Sequence, residues 1–262
     1  NAIIIAAIFE FLGAVLMGSH VTDIVRKKIV SRDIYENEPG ALMFGMLCAD
    51  LSSAIWLTIA TYLKWPVSTT HSIIGSLLGF ALITVPHAID FGFFRSVVAV
   101  WVLSPAISVV ISYLIMQLMI NQLFNATDPM AAANRLLPKY FFGIVFLMYS
   151  VIVFHGGASL HWVALLIGGG VSALATLVYV RFQSKWLNST HHKAFDRIEH
   201  VFKVFTVLTA GMMAFSHGSN DVANAIGPVS TVLDALYRPD LLMNGDGITH
   251  VPWYLLALGA VG

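Results

Sequence analysis

Residues 97–120 read VVAVWVLSPAISVVISYLIMQLMI, 24 residues without one Asp, Glu, Lys or Arg. Coiled as an α-helix at 1.5 Å per residue, the stretch exceeds the ~30 Å hydrocarbon core of a bilayer, which about 20 apolar residues suffice to cross. Inside lipid no water is available to backbone N–H and C=O groups, so a spanning segment pairs them within itself as a helix or across a closed barrel. Barrel strands alternate apolar and polar residues over roughly ten positions. This run is too long and too continuous for that, and it reads as a membrane helix.

Comparable runs lie at 2–25, 41–63, 67–85, 140–155, 161–181, 201–233 and from 253 onward. The connections, Arg26 to Pro39, Asn125 to Lys139 and Arg181 to Lys203, are short and polar, with no room for a soluble domain. Composition agrees: 58% of the 262 residues are hydrophobic and 11% charged, against roughly 25% charged in soluble domains, and the mean hydropathy is +0.80. Fourteen Lys and Arg balance fourteen Asp and Glu, which leaves no basic excess for nucleic acid and makes the lipid bilayer the expected partner. A single cysteine, Cys48, excludes a disulfide framework and a Cys-rich metal site. The expected fold is all-α, a polytopic, multi-pass transmembrane helical bundle. Small residues at Ala6, Gly13 and Ala14 with Met17, and at Gly168, Gly169 and Gly170 with Ala173, suit close helix packing. Because the chain starts at Asn1 inside one apolar run and stops at Gly262 inside another, it reads as a piece of a longer protein.

Two stretches interrupt the apolar pattern. Pro66-Val67-Ser68-Thr69-Thr70-His71-Ser72 precedes the run from Ile73 to Val85. Proline suits a first helical turn and Ser68 is a good N-cap, so a helix begins here. Its unpaired first amides, joined by the hydroxyls, can form an anion site without formal charge; equally, the hydroxyls can bond their own backbone. The second stretch, Ser216 to Pro228, reads SHGSNDVANAIGP and follows an apolar helix from Val201 to Phe215. Gly218 and Gly227-Pro228 are expected to break that helix, and Asn220, Asp221 and Asn224 bring oxygen ligands to membrane depth, which is tolerated where the chain lines a cavity. In discontinuous transporter helices, half-helix N-termini face anions while Asp and Asn oxygens hold a coupling cation.

Further acids fall within the apolar runs. Glu10 shares a helix face with Ala6, Gly13 and Ala14 and must point into the bundle rather than into lipid. Asp50, beside Cys48, Ser52 and Ser53, is either a cation ligand or a carboxyl paired by neighbouring hydroxyls. Asp23, near Arg26 and Lys27, suits an interfacial ion pair. His71 and His217 each sit in a polar break, whereas His155, His161, His191, His192, His200 and His250 fall in connections.

SHGSNDVANAIGP (216–228) resembles one signature of the inorganic phosphate transporter (PiT) family, and PVSTTHSIIG (66–75) resembles its second. FEFLGA (9–14) and VTDIVRK (21–27) are similar to the family's early helix, so the resemblance covers essentially the whole chain. It implies a secondary transporter of the cytoplasmic membrane, the cell's inner or plasma membrane, that moves inorganic phosphate with a cation and is built from two inverted repeats. Each repeat would hold one Asn-Asp motif and one Thr-rich motif. Here each motif occurs once, so residues 1–200 are expected to carry the rear of the first repeat with linking helices, and residues 201–262 the front of the second. Ser219 replaces the usual Ala or Gly of the motif, a change between small residues. A Lys and Arg count places the loops after the first segment and at 181–203 both inside, whereas the resemblance implies that 26–39 lies outside and 181–203 inside. We adopt the latter.

No Lys or Arg lies deep in any apolar run, so a phosphate with one or two negative charges meets no basic clamp. Helix N-termini supply only partial charge, and Glu10 and Asp221 add negative charge, so bound cations must accompany the anion. Phosphate is assigned to Ser68, Thr69, Thr70, Asn220 and Ser219. The cation, sodium rather than a proton because carboxylate, amide and carbonyl oxygens suit a hard ion, is assigned to Asp221, Asn224 and Glu10. His71, His217 and Asp50 are left to hydrogen bonding or proton coupling. Proton-coupled transport of phosphate or a metal-phosphate complex is the alternative; a channel or membrane receptor and a homodimeric assembly are weaker expectations. An enzyme is not expected: no His-Glu-x-x-His or Gly-x-Ser-x-Gly motif occurs, and no cofactor beyond the coupling ion is implied.

Overall fold

A computed structural model describes residues 2–28, 38–86, 89–155, 161–187, 194–237 and 251–261. Eight α-helices follow in order: α1 (Ala2–Lys28), α2 (Pro39–Tyr62), α3 (Thr69–Thr84), α4 (Phe91–Met119), α5 (Pro129–His155), α6 (His161–Leu187), α7 (Ala194–Tyr237) and α8 (Trp253–Val261). Each apolar run of the sequence is a helix. Six are long and apolar enough to cross a membrane, whereas α3, with 16 residues, is shorter. The loop residues 29–37 and 188–193, on which the charge count for topology leans, and with them His191, His192 and His250, lie outside the described residues, as does the Asp23 side chain.

The chain forms two compact units, one of residues Asn1–Val98 and Met213–Gly262 and the other of Ala99–Met212. The boundaries fall inside α4 and α7, so neither coincides with residue 200. In the second unit α5 packs on α6. Phe141 stacks on Tyr179 with ring centroids 4.3 Å apart, and Phe205 meets both rings edge-on, the offset and edge geometries that aromatic quadrupoles favour. Tyr149 occupies the space left by Gly168, while Gly169 and Gly170 face open space. The stretch 125–139, expected as a polar connection, is mostly helix. Asp128 caps α5 by accepting from the amides of Met130 and Ala131, both at 3.0 Å, and Pro129 takes the first-turn position where its missing N–H costs nothing. His200 likewise belongs to α7 rather than to a connection, stacked on Trp186 at 3.5 Å.

In the first unit α2 packs on α3 and α1 on α8. The α2 to α3 turn is tight. Trp65 N–H donates to the Ala60 carbonyl and Lys64 N–H to that of Thr61, with Lys64 at φ 58°, the paired bonds and left-handed residue of a Schellman termination. Pro66 then prevents continuation and Ser68 opens α3. Gly45 of α2 leaves the space that the Phe80 ring fills, and Ser53 and Ser76 hydroxyls meet at 3.0 Å. Ile226 of α7, Val251 and Leu256 form a small core, and the Leu256 side chain covers Gly18 of α1.

The expected break in α7 is not present: the helix continues through Gly218, Gly227 and Pro228 as 44 residues. Pro228 lacks the N–H that would donate to the Asn224 carbonyl one turn back; beside it the Gly227 carbonyl accepts from Ser230 Oγ at 2.8 Å and Thr231 Oγ1 at 3.2 Å. Ala223, Asn224, Ile226, Gly227, Pro228, Ser230 and Thr231 are all buried, so the loosened turn is enclosed by protein, the condition under which proline persists in a membrane helix.

Candidate functional site

The site grows from a crossing of two helices at their glycines. A Cβ on Gly13 of α1 would collide with the Phe215 carbonyl of α7, and one on Gly218 of α7 with the Glu10 carbonyl of α1. Only hydrogen at both positions lets the backbones touch. Glu10 and His217, one residue from Gly218, are thereby held together. His217 Nδ1 lies 2.9 Å from Glu10 Oε1, and its Nε2 lies 3.0 Å from Asp221 Oδ2, one helical turn further along α7.

A neutral imidazole donates from one nitrogen and accepts at the other. The Nδ1 contact to Glu10 is a hydrogen bond whose direction follows the tautomer, and the Nε2 contact brings the ring within ion-pairing distance of Asp221. Glu10 stands at the middle of the apolar stretch Ala2–Ser19, with its side chain 45% exposed and that of His217 59% exposed. Groups of this polarity at mid-span cannot face lipid and must face a cavity or other protein.

Asp221 joins the triad to the start of α3. Thr69 Oγ1 donates to Asp221 Oδ1 at 2.8 Å. Thr70 Oγ1 accepts from the amides of Asn220 and Asn224, both at 2.8 Å. Two accepted bonds occupy the oxygen's lone pairs and leave the Thr70 O–H free to donate elsewhere. Asn224 is 4% exposed and, its amide being on Thr70, its Oδ1 is buried without a hydrogen-bond partner. Ser68 points elsewhere: its Oγ accepts from the His71 amide at 3.3 Å as the N-cap.

The PVSTTHS stretch is thus divided between two recesses. Thr69, with Asp50, Ser53, Asp221, Asn224 and apolar neighbours, lines a pocket of about 510 Å³. Ser68, His71 and Ser72 line a smaller one of about 350 Å³ with Trp56. Among the predicted residues, the fold therefore brings together Glu10, His217, Asp221, Asn220, Asn224, Thr69 and Thr70, with Asp50 across the larger pocket. Ser68 and His71 sit on the other side of the α3 start, and Ser219 Oγ donates to the Ser216 carbonyl of its own helix at 2.9 Å. Sequence reading missed the bridging position of His217, which depends on a contact spanning 207 residues. The i and i+4 spacing of His217 and Asp221 was the only local signal.

A family model described as the phosphate transporter family matches residues 1–262. A Haemophilus influenzae protein named "Putative phosphate permease" is 36% identical over 271 residues, covering all of this chain and 64% of that protein. A relative with the same description from Thermococcus kodakarensis is 34% identical over 267 residues, with 100% and 64% covered. Among solved structures, "The sodium-dependent phosphate transporter" is similar at TM-score 0.85 and 33% identity, over 98% of this chain and 63% of that one. The chain spans a little under two thirds of the length of each.

Proposed function

We propose that this chain, which belongs to the phosphate transporter family, is part of a secondary active transporter that carries inorganic phosphate together with a cation, sodium in preference to a proton, across the cytoplasmic membrane. The observation that carries the reading is the Thr69 to Asp221 hydrogen bond of 2.8 Å. It couples a hydroxyl-rich helix start, suited to an anion, directly to a carboxylate suited to a cation.

In this reading phosphate sits at the N-terminus of α3, on the O–H that Thr70 has free to donate and beside Thr69 and Asn220, where partial positive charge and hydrogen-bond donors converge, while Ser68, lining the other recess, serves as the N-cap. The cation takes Asp221 and the Asn224 Oδ1, with Glu10 acting through His217. An anion next to the Glu10 and Asp221 carboxylates is strongly unfavourable in a weakly polar site. Entry of a cation removes that repulsion, so each ligand strengthens the other, and reciprocity of binding makes one gradient drive the other. The inverted-repeat organisation belongs to the same proposal, with residues 1–200 and 201–262 drawn from its two halves.

A second reading, proton coupling, is favoured specifically by His217 standing between two carboxylates. The full-length transporter in proteoliposomes, given an inward sodium gradient or an inward proton gradient separately, decides between them. Saturable phosphate uptake driven by sodium alone supports the first reading, and uptake driven by the proton gradient alone the second. Uptake that needs neither gradient and does not saturate overturns both in favour of a channel.

A further inference from the structure

In the unit of residues Ala99–Met212, the described Lys and Arg residues all lie at one end. Arg135 and Lys139 stand in the first half of α5, Arg181 and Lys185 in the last two turns of α6, and Arg197 and Lys203 near the start of α7. On α5 the run 140–154, free of Asp, Glu, Lys and Arg, begins directly after Lys139; on α6 the run 162–180, equally free of them, ends directly before Arg181. The two helix ends are tied at one level. Gln183, 2% exposed and placed between Arg181 and Lys185, donates to the Ala133 carbonyl at 3.1 Å and to Asn134 Oδ1 at 3.4 Å, next to Arg135. The excess of Lys and Arg assigns this end to the cytoplasmic side.

The cations of α7 have acids beside them: Lys203 Nζ lies 3.6 Å from Glu199 Oε1, and Asp196 precedes Arg197. Those of α5 and α6 do not. Neither helix contains an Asp or Glu over its whole length, and Arg135, Lys139, Arg181 and Lys185 form no ion pair among the described residues. Each helix therefore carries two exposed like charges at i and i+4, close enough to repel each other and to reach one anion together. Both pairs turn away from the core that holds Leu137, Phe141 and Tyr179. Below each pair the same helix face continues as apolar surface. Arg135 and Lys139 lead at helical spacing to Phe142 and Phe146, whose rings stack with centroids 6.0 Å apart. Lys185 and Arg181 lead to Val178, 66% exposed, and Leu174, 65% exposed.

We propose that these two faces are seats for anionic phospholipid, one headgroup phosphate held by Arg135 with Lys139 and another by Arg181 with Lys185, the acyl chains lying along the apolar residues below. Cations at the edge of the hydrocarbon meet phosphate at headgroup level, and long side chains extend to it while their stems stay on apolar surface. On α5 the lean of side chains toward the helix N-terminus carries both cations outward. Bound lipid removes the repulsion within each pair, so the stability of this unit depends on the charge of the surrounding lipid. The inference is independent of the transport reading.

The test titrates the purified full-length protein in neutral detergent with dioctanoyl phosphatidylglycerol or dioctanoyl phosphatidylcholine and reads the shift in Tm. The wild type is expected to respond to phosphatidylglycerol at roughly tenfold lower concentration, and to lose that preference at ~1 M salt, where the screening length falls to ~3 Å. With Arg135→Gln, Lys139→Gln, Arg181→Gln and Lys185→Gln combined, half-saturating phosphatidylglycerol should rise about tenfold, with phosphatidylcholine unaffected. Arg135→Lys with Arg181→Lys should keep the wild-type preference, because charge and reach are retained. Equal response of the wild type to both lipids, or a preference undiminished in the fourfold variant, overturns the seats. Full displacement of phosphatidylglycerol by inorganic pyrophosphate at equal concentration overturns the lipid in favour of a soluble anion. Should the fourfold variant not fold, the two helix-by-helix double variants serve: each is expected to raise half-saturating phosphatidylglycerol about threefold, and an unchanged titration in both overturns the proposal.

Discussion

At the scale of single residues, the site assigns unequal roles to neighbours that the sequence presents alike. Thr70 accepts two amides, whereas Ser68 caps one turn. Thr70→Val leaves the Asn220 and Asn224 donors unpaired, at about 1 to 3 kcal/mol each, whereas Ser68→Ala removes a cap worth ~1 kcal/mol. Thermal unfolding of the two variants should rank Thr70→Val as clearly the more damaging, with phosphate half-saturation raised at least tenfold. Equal stability of the two would remove Thr70 from its central place. Asp221→Asn keeps the volume and an acceptor for Thr69 but presents an amide or an uncharged oxygen to His217. Coupled uptake should be lost at normal membrane yield, and gradient-driven uptake at the wild-type rate would contradict the cation assignment. Of these distinctions only the capping role of Ser68 was legible in the sequence; what separates Thr69 from Thr70 was not. Three hydroxylated residues in a row on a first helical turn face three directions, and only the neighbouring helix decides which face is used.

At the scale of elements, the α1 to α7 crossing governs whether the triad exists. Gly218→Ala places a methyl against the Glu10 carbonyl, and overpacking of this kind costs typically 1 to 3 kcal/mol; here the obstacle is backbone, which cannot turn aside as a flexible side chain would. The expected result is separation of Glu10 from His217, seen as loss of uptake together with a lowered Tm, and Gly13→Ala should behave the same way. Unperturbed uptake in both variants would refute the crossing. The α2 to α3 turn predicts the opposite sign. Lys64 holds φ 58° without being glycine, a conformation costing a non-glycine residue roughly 1 to 2 kcal/mol, so Lys64→Gly should raise the Tm of the purified protein. Helix positions were legible because apolar length in lipid leaves little choice of backbone structure. The continuity of α7 was not: glycine and proline are local signals of a break, but here the turns on both sides of Pro228 are buried in protein and the helix runs through. The N-terminal extension of α5 was signalled by Asp128-Pro129, a cap followed by a first-turn proline, which polar composition over 125–139 concealed.

At the scale of the whole molecule, the charge balance of the site bears on selectivity. Monobasic and dibasic phosphate both carry a P–OH that a carboxylate such as Asp221 can accept, whereas sulfate at neutral pH offers only acceptors and would set anion against anion. Arsenate, with phosphate's protonation pattern, should compete with phosphate uptake in proteoliposomes, and sulfate at equal concentration should not. Equal inhibition by the two would show that the site senses charge and size alone.

The amino-acid order by itself determined that the chain is a membrane bundle, where its helices lie and which short motifs carry polar chemistry, because the bilayer penalises every unpaired backbone group and every charge in the same way wherever they occur. The signatures at 66–75 and 216–228 were likewise legible as local strings. Only the tertiary structure decided which of those polar groups meet. The partners Glu10 and His217, Thr69 and Asp221, and Thr70 and Asn224 are separated by 207, 152 and 154 residues. A hydrogen bond between groups so far apart in the chain depends on helix crossing points set by the glycines, and no local periodicity encodes where two helices touch.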